Sequence, residues 1–306
     1  MGSFRSLLGK LKRHSILLVK SVAILRDANR SQYKFTLTDI YLHLIELNQK
    51  LFPVRSIEKK GDTDLVSITI NHARIYWPET VSYKDLPWLY HEIFTPFERN
   101  PSSYDQPKMR IGEKDWIIDA GSAEGFFALF CIERAKENTK ILVLEPLSLM
   151  QNSLCNTFDS FPSRNVSVIR AAIGDNDGVI GFEADPDHLC DSKISEHDVD
   201  NVAYSSSVIH EQVPIRKLDT ICSQYNLDGQ GLIKMDIEGF EMKALDGARE
   251  TLKTLKPALA IAVYHEYDNA NQCAEIIKNA NPEYRIEFRG CYGYFKPPRP
   301  YILFAY

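Results

Sequence analysis

A doubly wound α/β fold is the architecture this sequence predicts. Short apolar runs recur from Lys114 onward, at Trp116–Ile118, Ile141–Leu144, Val166–Ile169, Leu232–Met235 and Ala258–Val263. Helical stretches lie between them, at Phe126–Lys136, Ser148–Phe158, Leu218–Tyr225 and Glu241–Leu255. The runs are apolar throughout rather than alternating, which suits strands of a parallel sheet covered on both faces. Strand and helix in regular alternation imply right-handed crossovers. The tail breaks the rhythm: Tyr284–Phe288 and Tyr301–Ala305 flank a Gly/Pro-rich connection and predict an antiparallel pair at one sheet edge.

The N-terminal third reads differently. Phe4, Leu7, Leu8 and Leu11 recur at the spacing of one helical face, and residues 1–30 carry seven basic side chains against Asp27 alone. A basic amphipathic helix over 3–26 is expected, docked on its own protein or on a partner subunit. Peripheral contact of residues 1–26 with an anionic membrane surface is the alternative. Lys20 interrupts the apolar stretch and no small-residue cleavage site succeeds it, so a secretory signal is not expected. Leu37–Leu51 reads as helix, and Leu65–Trp77 as a strand or hairpin ending at Pro78. The aromatic stretch Leu86–Phe97 is expected to pack against the C-terminal domain, with His91 and Glu92 on the helix surface by default and as substrate ligands in the alternative. Two prolines and two serines within Asn100–Lys108 mark a boundary between a mixed α/β extension, 1–105, and that second domain, 106–306.

At 306 residues the chain is one large domain or a domain with an appendage. A net charge of −5 argues against nucleic acid as the main partner. Six cysteines without a CxxC pair argue against a disulfide framework or zinc knot and for a reducing compartment, the cytoplasm. No run of about 18 apolar residues occurs, so no transmembrane span is expected.

Four strand ends carry the chemistry. Asp119-Ala120-Gly121-Ser122-Ala123-Glu124-Gly125 lies just after the first strand; its glycines allow close backbone approach to a ligand beside a helix N-terminus. Ala123 and Phe126 stand where a dinucleotide fingerprint needs glycine, and a carboxylate at Asp119 would repel pyrophosphate but suit a cationic ligand. Glu145, before Pro146, ends the second strand 26 residues after Asp119, one strand–helix–strand unit, where a carboxylate accepts from the vicinal hydroxyls of a ribose. Lys234–Glu241 (KMDIEGFE) ends the fourth strand with three carboxylates in six residues, which require a compensating lysine, ligand cation or metal. Tyr264-His265-Glu266-Tyr267-Asp268 ends the fifth. Asp236 and His265 are expected to converge, with Glu238, on Mg²⁺ or Mn²⁺; alternatively His265 is a metal-free general base. Glu183–Asp200 carries seven acids against Lys193 and reads as a solvated loop between strands, or alternatively one that closes over substrate; its His188, Cys190 and His197 match no strong zinc spacing.

Together these blocks resemble the FkbM family of S-adenosylmethionine-dependent methyltransferases over roughly residues 86–306. The resemblance rests on Asp115–Gly125, Val143–Pro146, Ala171–Asp175, Leu218-Asp219, Lys234–Glu241 and Leu245–Gly247; Ser122-Ala123 stands where members often read Ala-Asn. It implies a Rossmann-like class I methyltransferase fold, with a mostly parallel seven-stranded sheet and an antiparallel C-terminal strand. It implies S-adenosylmethionine as cofactor, held by Asp119, Ala120, Gly121, Ser122 and Gly125 at its methionine part. Glu145 and Pro146 would lie at its ribose, Ala171 and Ala172 at its adenine, and Asp236 before the transferable methyl. The implied activity is O-methylation of a sugar or glycan-precursor hydroxyl. The alternatives are a phenolic, polyketide or peptide acceptor, or a non-catalytic cofactor-binding scaffold.

Overall fold

The computed structural model describes residues 22–40, 51–104, 106–195, 208–293 and 295–306. Its centre is a seven-stranded sheet built from β4 (Trp116–Ala120), β5 (Lys140–Leu144), β6 (Asn165–Ile169), β11 (Gly231–Met235), β12 (Ala258–Ala262), β13 (Ile286–Arg289) and β14 (Ile302–Ala305). The spatial order is β13-β14-β12-β11-β4-β5-β6. All neighbours from β12 to β6 pair in parallel, while β14 runs antiparallel to both β12 and β13. This is the mostly parallel sheet with an antiparallel C-terminal strand expected of the class I fold. The C-terminal pair is antiparallel as expected, but β14 is inserted between β12 and the edge strand β13, so its four residues are all buried.

Helices α2 (Phe126–Arg134), α3 (Ser148–Phe158), α4 (Leu218–Gln224) and α7 (Asn269–Ala280) connect the strands. The helix expected over Glu241–Leu255 is two, α5 (Glu241–Asp246) and α6 (Arg249–Thr254). The break falls at Gly247, where a Cβ would come within 2.0 Å of the Gly174 carbonyl oxygen. Helix α7 buries Ala270, Cys273 and Ile277 at helical spacing, a pattern visible in the sequence but not read from it.

Two smaller sheets flank this body. The expected hairpin is β2 (Leu65–Ile70) and β3 (Ala73–Pro78), with an unforeseen β1 (Val54–Lys59) beside β2. The second joins β7 (Ala172–Ile173), β10 (Ile209–Arg216), β8 (Gly178–Asp185) and β9 (His188–Ser195) in that order. Strands β8 and β9 overturn the solvated loop expected from Glu183; residues 196–200 lie outside the described residues. Antiparallel strands with one wet face tolerate acids on that face, so a high acid count does not by itself mark a loop. Glu211 of β10 anchors this sheet: its carboxylate accepts from Ser148 N and Oγ, both at 2.7 Å, at the start of α3.

One apolar cluster joins Ile68, Ile75 and Trp77 of the extension to Phe126, Phe130 and Phe158, so the boundary near residue 105 does not divide two cores. Within α1 (Leu86–Phe94), Tyr90 stacks on Phe94 and meets Phe126 edge-on, packing the helix on α2 as expected. Of the helix expected over 3–26, residues 22–28 are helical, and 3–21 lie outside the described residues. Residues 37–40 are likewise helical, and 41–50 lie outside. Among the described residues no helix is long and apolar enough to cross a membrane.

Candidate active site

The carboxyl ends of β4, β5, β11 and β12 open into a cleft, covered on one side by α1. Its floor is set by the turn after β4. Gly121 N and Ser122 N both donate to Leu144 O at 3.1 Å, folding the chain over β5. Gly121 has φ +71°, and a Cβ there would lie 1.9 Å from Asp236 O. Only glycine lets the β4 and β11 ends approach this closely.

Of the expected cofactor residues, Gly121, Ser122, Glu145, Pro146, Ala171, Ala172 and Asp236 line the cleft. Asp119, Ala120 and Gly125 lie beneath it. The Asp119 carboxylate, fully buried, pairs with Lys234 Nζ at 3.1 Å and accepts from Ser122 Oγ at 2.9 Å. Lys234 Nζ also donates to Gly121 O at 2.6 Å. Asp119 therefore compensates an internal cation, correcting the expectation that its charge faces the ligand.

Glu145 is buried at the end of β5, its two oxygens accepting from Ala123 N at 3.0 Å and Leu147 N at 3.1 Å. Burial pushes its carboxyl up to about 7 although these N–H bonds oppose the shift. Glu124, which the sequence did not single out, also lines the cleft, and burial pushes it up to about 8.

Glu92 was expected on a helix surface and instead faces the cleft. Tyr301 OH donates to its Oε1 at 2.6 Å, while burial, then the nearby Asp236 charge, push its carboxyl up to about 7. The legible signal was its position: Leu89, Glu92 and Ile93 share one helical face, a lone acid on an apolar stripe. His91, also expected on the surface, is buried; burial and then Arg99 lower its pKa.

His265 sits beside the cleft behind Tyr264, ring centroids 4.3 Å apart. Its Nε2 lies 3.2 Å from Glu238 Oε2 and 3.6 Å from Asp236 Oδ1, and its Nδ1 lies 3.1 Å from Glu241 Oε1. Burial disfavours the imidazolium, but Glu238, Glu241 and Asp236 outweigh it and push the pKa up to about 11. Asp236, Glu238 and His265 do converge as expected. Glu241, expected only to begin a helix, is fully buried and accepts from Ile237 N and Gly239 N at 3.2 and 3.3 Å.

The cleft thus gathers Glu92, Glu124, Glu145, Asp236 and Glu238 against Lys234, already engaged with Asp119. Such a site favours a ligand carrying positive charge and hydroxyl donors, with an apolar end against Met150, Ala172 and Phe182.

Several solved structures are similar to the chain at low identity. The methyltransferase FkbM from Methylobacillus flagellatus KT is 23% identical, covering 72% of this chain and 50% of its own, with a TM-score of 0.47. The present chain thus spans half the length of that protein. A SAM-dependent O-methyltransferase from Thermotoga maritima is 12% identical over 86% of this chain and 80% of its own, TM-score 0.38. A Streptococcus mutans methyltransferase in complex with SAH is 12% identical over 65% and 93%, TM-score 0.37. No curated protein matches the chain. The methyltransferase FkbM domain model matches residues 119–285, more than half of the sequence and the whole glycine turn-to-His265 region described above, and the chain belongs to that FkbM methyltransferase family.

Proposed function

We propose that the chain transfers a methyl group from S-adenosylmethionine to a hydroxyl of a sugar or glycan precursor: lipopolysaccharide, capsular or natural-product glycoside. The donor supplies an electrophilic methyl on a positively charged sulfur. The donor set fits it: Glu145, rigidly held by two backbone N–H groups, has carboxylate lone pairs left for ribose hydroxyls, and the acidic lining favours a cation. Ala171, Ala172 and Phe182 would border the adenine, and the Gly121–Ser122 turn the methionine part.

The observation that carries the acceptor class is the grouping of Glu92, Asp236 and Glu238 with the Tyr264 ring at one end of the cleft. Carboxylates and an aromatic face suit a ring bearing several hydroxyls. These groups align the acceptor oxygen, and such positioning supplies roughly 7–11 kcal/mol. Glu92, with a pKa of about 7, accepts the hydroxyl proton. The reaction would take place in the cytoplasm, with peripheral inner-membrane contact through residues 1–26 as an adjunct.

The experiment is methyl-labelled donor against methyl hexosides, nucleotide hexoses, phenols and peptides. Transfer to a hexose hydroxyl supports the proposal; transfer only to phenols or peptides, or to none, refutes it. In the active pair, Glu92→Gln should lower kcat by about 10²-fold and leave SAH affinity unchanged.

A further inference from the structure

We propose that the space between Asp236, Glu238 and His265 holds one divalent cation, with His265 Nε2 and the two carboxylates as ligands and Glu241 orienting the imidazole. The first observation is convergence. Glu238 Oε2 and Asp236 Oδ1 approach the same ring nitrogen at 3.2 and 3.6 Å. Ligands about 2.1 Å from a common ion at right angles stand about 3 Å apart, close to both of these separations from Nε2.

The second observation is independent of the acids. The His265 side chain is only 10% exposed, and its Nε2 and the buried Asp236 Oδ1, 3.6 Å apart, make no hydrogen bond. Buried polar atoms are nearly always satisfied, so these two atoms, unpaired and facing each other, mark a missing partner. Three carboxylates surround the single imidazole, and Lys234 is committed to Asp119 and Gly121 O. The partner those atoms call for is therefore positive.

The trio whose ligand atoms all lie within 4.8 Å of one another is Asp236, Glu241 and His265, but Glu241 is the less suitable ligand. Its Oε1 already accepts from Ile237 N and Gly239 N, and its Oε2 from Asn269 Nδ2 at 3.3 Å. It is placed instead as the carboxylate that receives the other N–H of a metal-binding histidine. Glu238, at φ +55°, is turned back toward His265 by the bend before Gly239. Imidazole with carboxylates and room for water suits Mn²⁺ or Mg²⁺. Asp236 and Glu238 also line the cleft, so the ion would lie at its acceptor end. The ion's role in turnover rests on the methyl-transfer reading; its binding does not.

The test is calorimetric and paramagnetic titration of Mn²⁺ into the full chain after EDTA treatment and desalting, with SAH titrated into the same samples. Saturable binding near one equivalent is expected. Glu238→Gln and His265→Ala should each weaken it at least 30-fold, and Glu241→Gln about tenfold. Glu238 is 30% exposed, so its glutamine variant should keep the wild-type melting temperature and serves even where His265→Ala misfolds. No saturable Mn²⁺ binding overturns the inference. So does wild-type affinity in a folded Glu238→Gln variant, which would move the ligand role to Glu241. SAH binding without Mn²⁺ binding removes the ion and leaves the methyltransferase reading; Mn²⁺ binding without SAH binding does the reverse.

Discussion

Replacing Lys234 with methionine tests how the site is held together. The Asp119 side chain is fully buried, and it pairs with Lys234 Nζ at 3.1 Å, itself on a side chain 6% exposed. Removing that cation leaves a buried carboxylate whose remaining side-chain partner is the Ser122 hydroxyl. Breaking a buried pair from one side costs about 3–5 kcal/mol, against total stabilities of roughly 5–15 kcal/mol. Lys234→Met should therefore lose a large share of the fold's stability. Asp119→Asn added to it removes the stranded charge while keeping the Ser122 contact, and should restore most of the loss. The coupling in the double-mutant cycle should be at least about 2 kcal/mol. Urea unfolding followed by circular dichroism measures all three variants, and SAH titration of the single Asp119→Asn variant adds a second readout. Because Asp119 does not line the cleft, the affinity of that variant should stay within about tenfold of wild type. Additive losses, or SAH affinity lowered a hundredfold or more, would show that Asp119 serves the ligand and that the internal pair is wrongly read.

The same geometry sets three further outcomes. Glu145→Ala should weaken SAH binding about a hundredfold by calorimetry, since two hydrogen bonds to a charged acceptor are worth about 3 kcal/mol together. Glu92, Glu124 and Glu145 are raised from 4.5 to about 7, 8 and 7, so the stability they contribute is full below the unfolded value and lost as pH rises through the folded ones. The melting temperature of the cofactor-free chain should accordingly fall between about pH 4.5 and pH 8, and Glu124→Gln should flatten that fall. Gly121→Ala forces a Cβ to within 1.9 Å of Asp236 O at φ +71°, and thermal unfolding should register a loss of about 3 kcal/mol or more.

Much of the scaffold was legible because it depends on local pattern. Continuous apolar runs located β4, β5, β6, β11 and β12 to within about two residues, and α3 emerged with its expected limits. The glycine turn and Glu145 were legible because a strand-to-helix junction confines where a ligand can lie. Other assignments failed where distant residues decide the outcome. The hairpin of β8 and β9 was obscured because its acids signal exposure, and a sheet with one wet face is exposed too.

By itself, then, the sequence determined the central parallel strands and most helices between them, the close turn at Gly121 and which acids stand at strand ends. Tertiary structure decided what those acids face. Asp119 meets Lys234 from a neighbouring strand, Glu92 is carried into the cleft by a helix from the extension, and His265 is ringed by acids from the β11 end and α5. A side chain's identity sets the charge it can carry; its burial and its partners across the sheet set whether it carries that charge and toward which ligand.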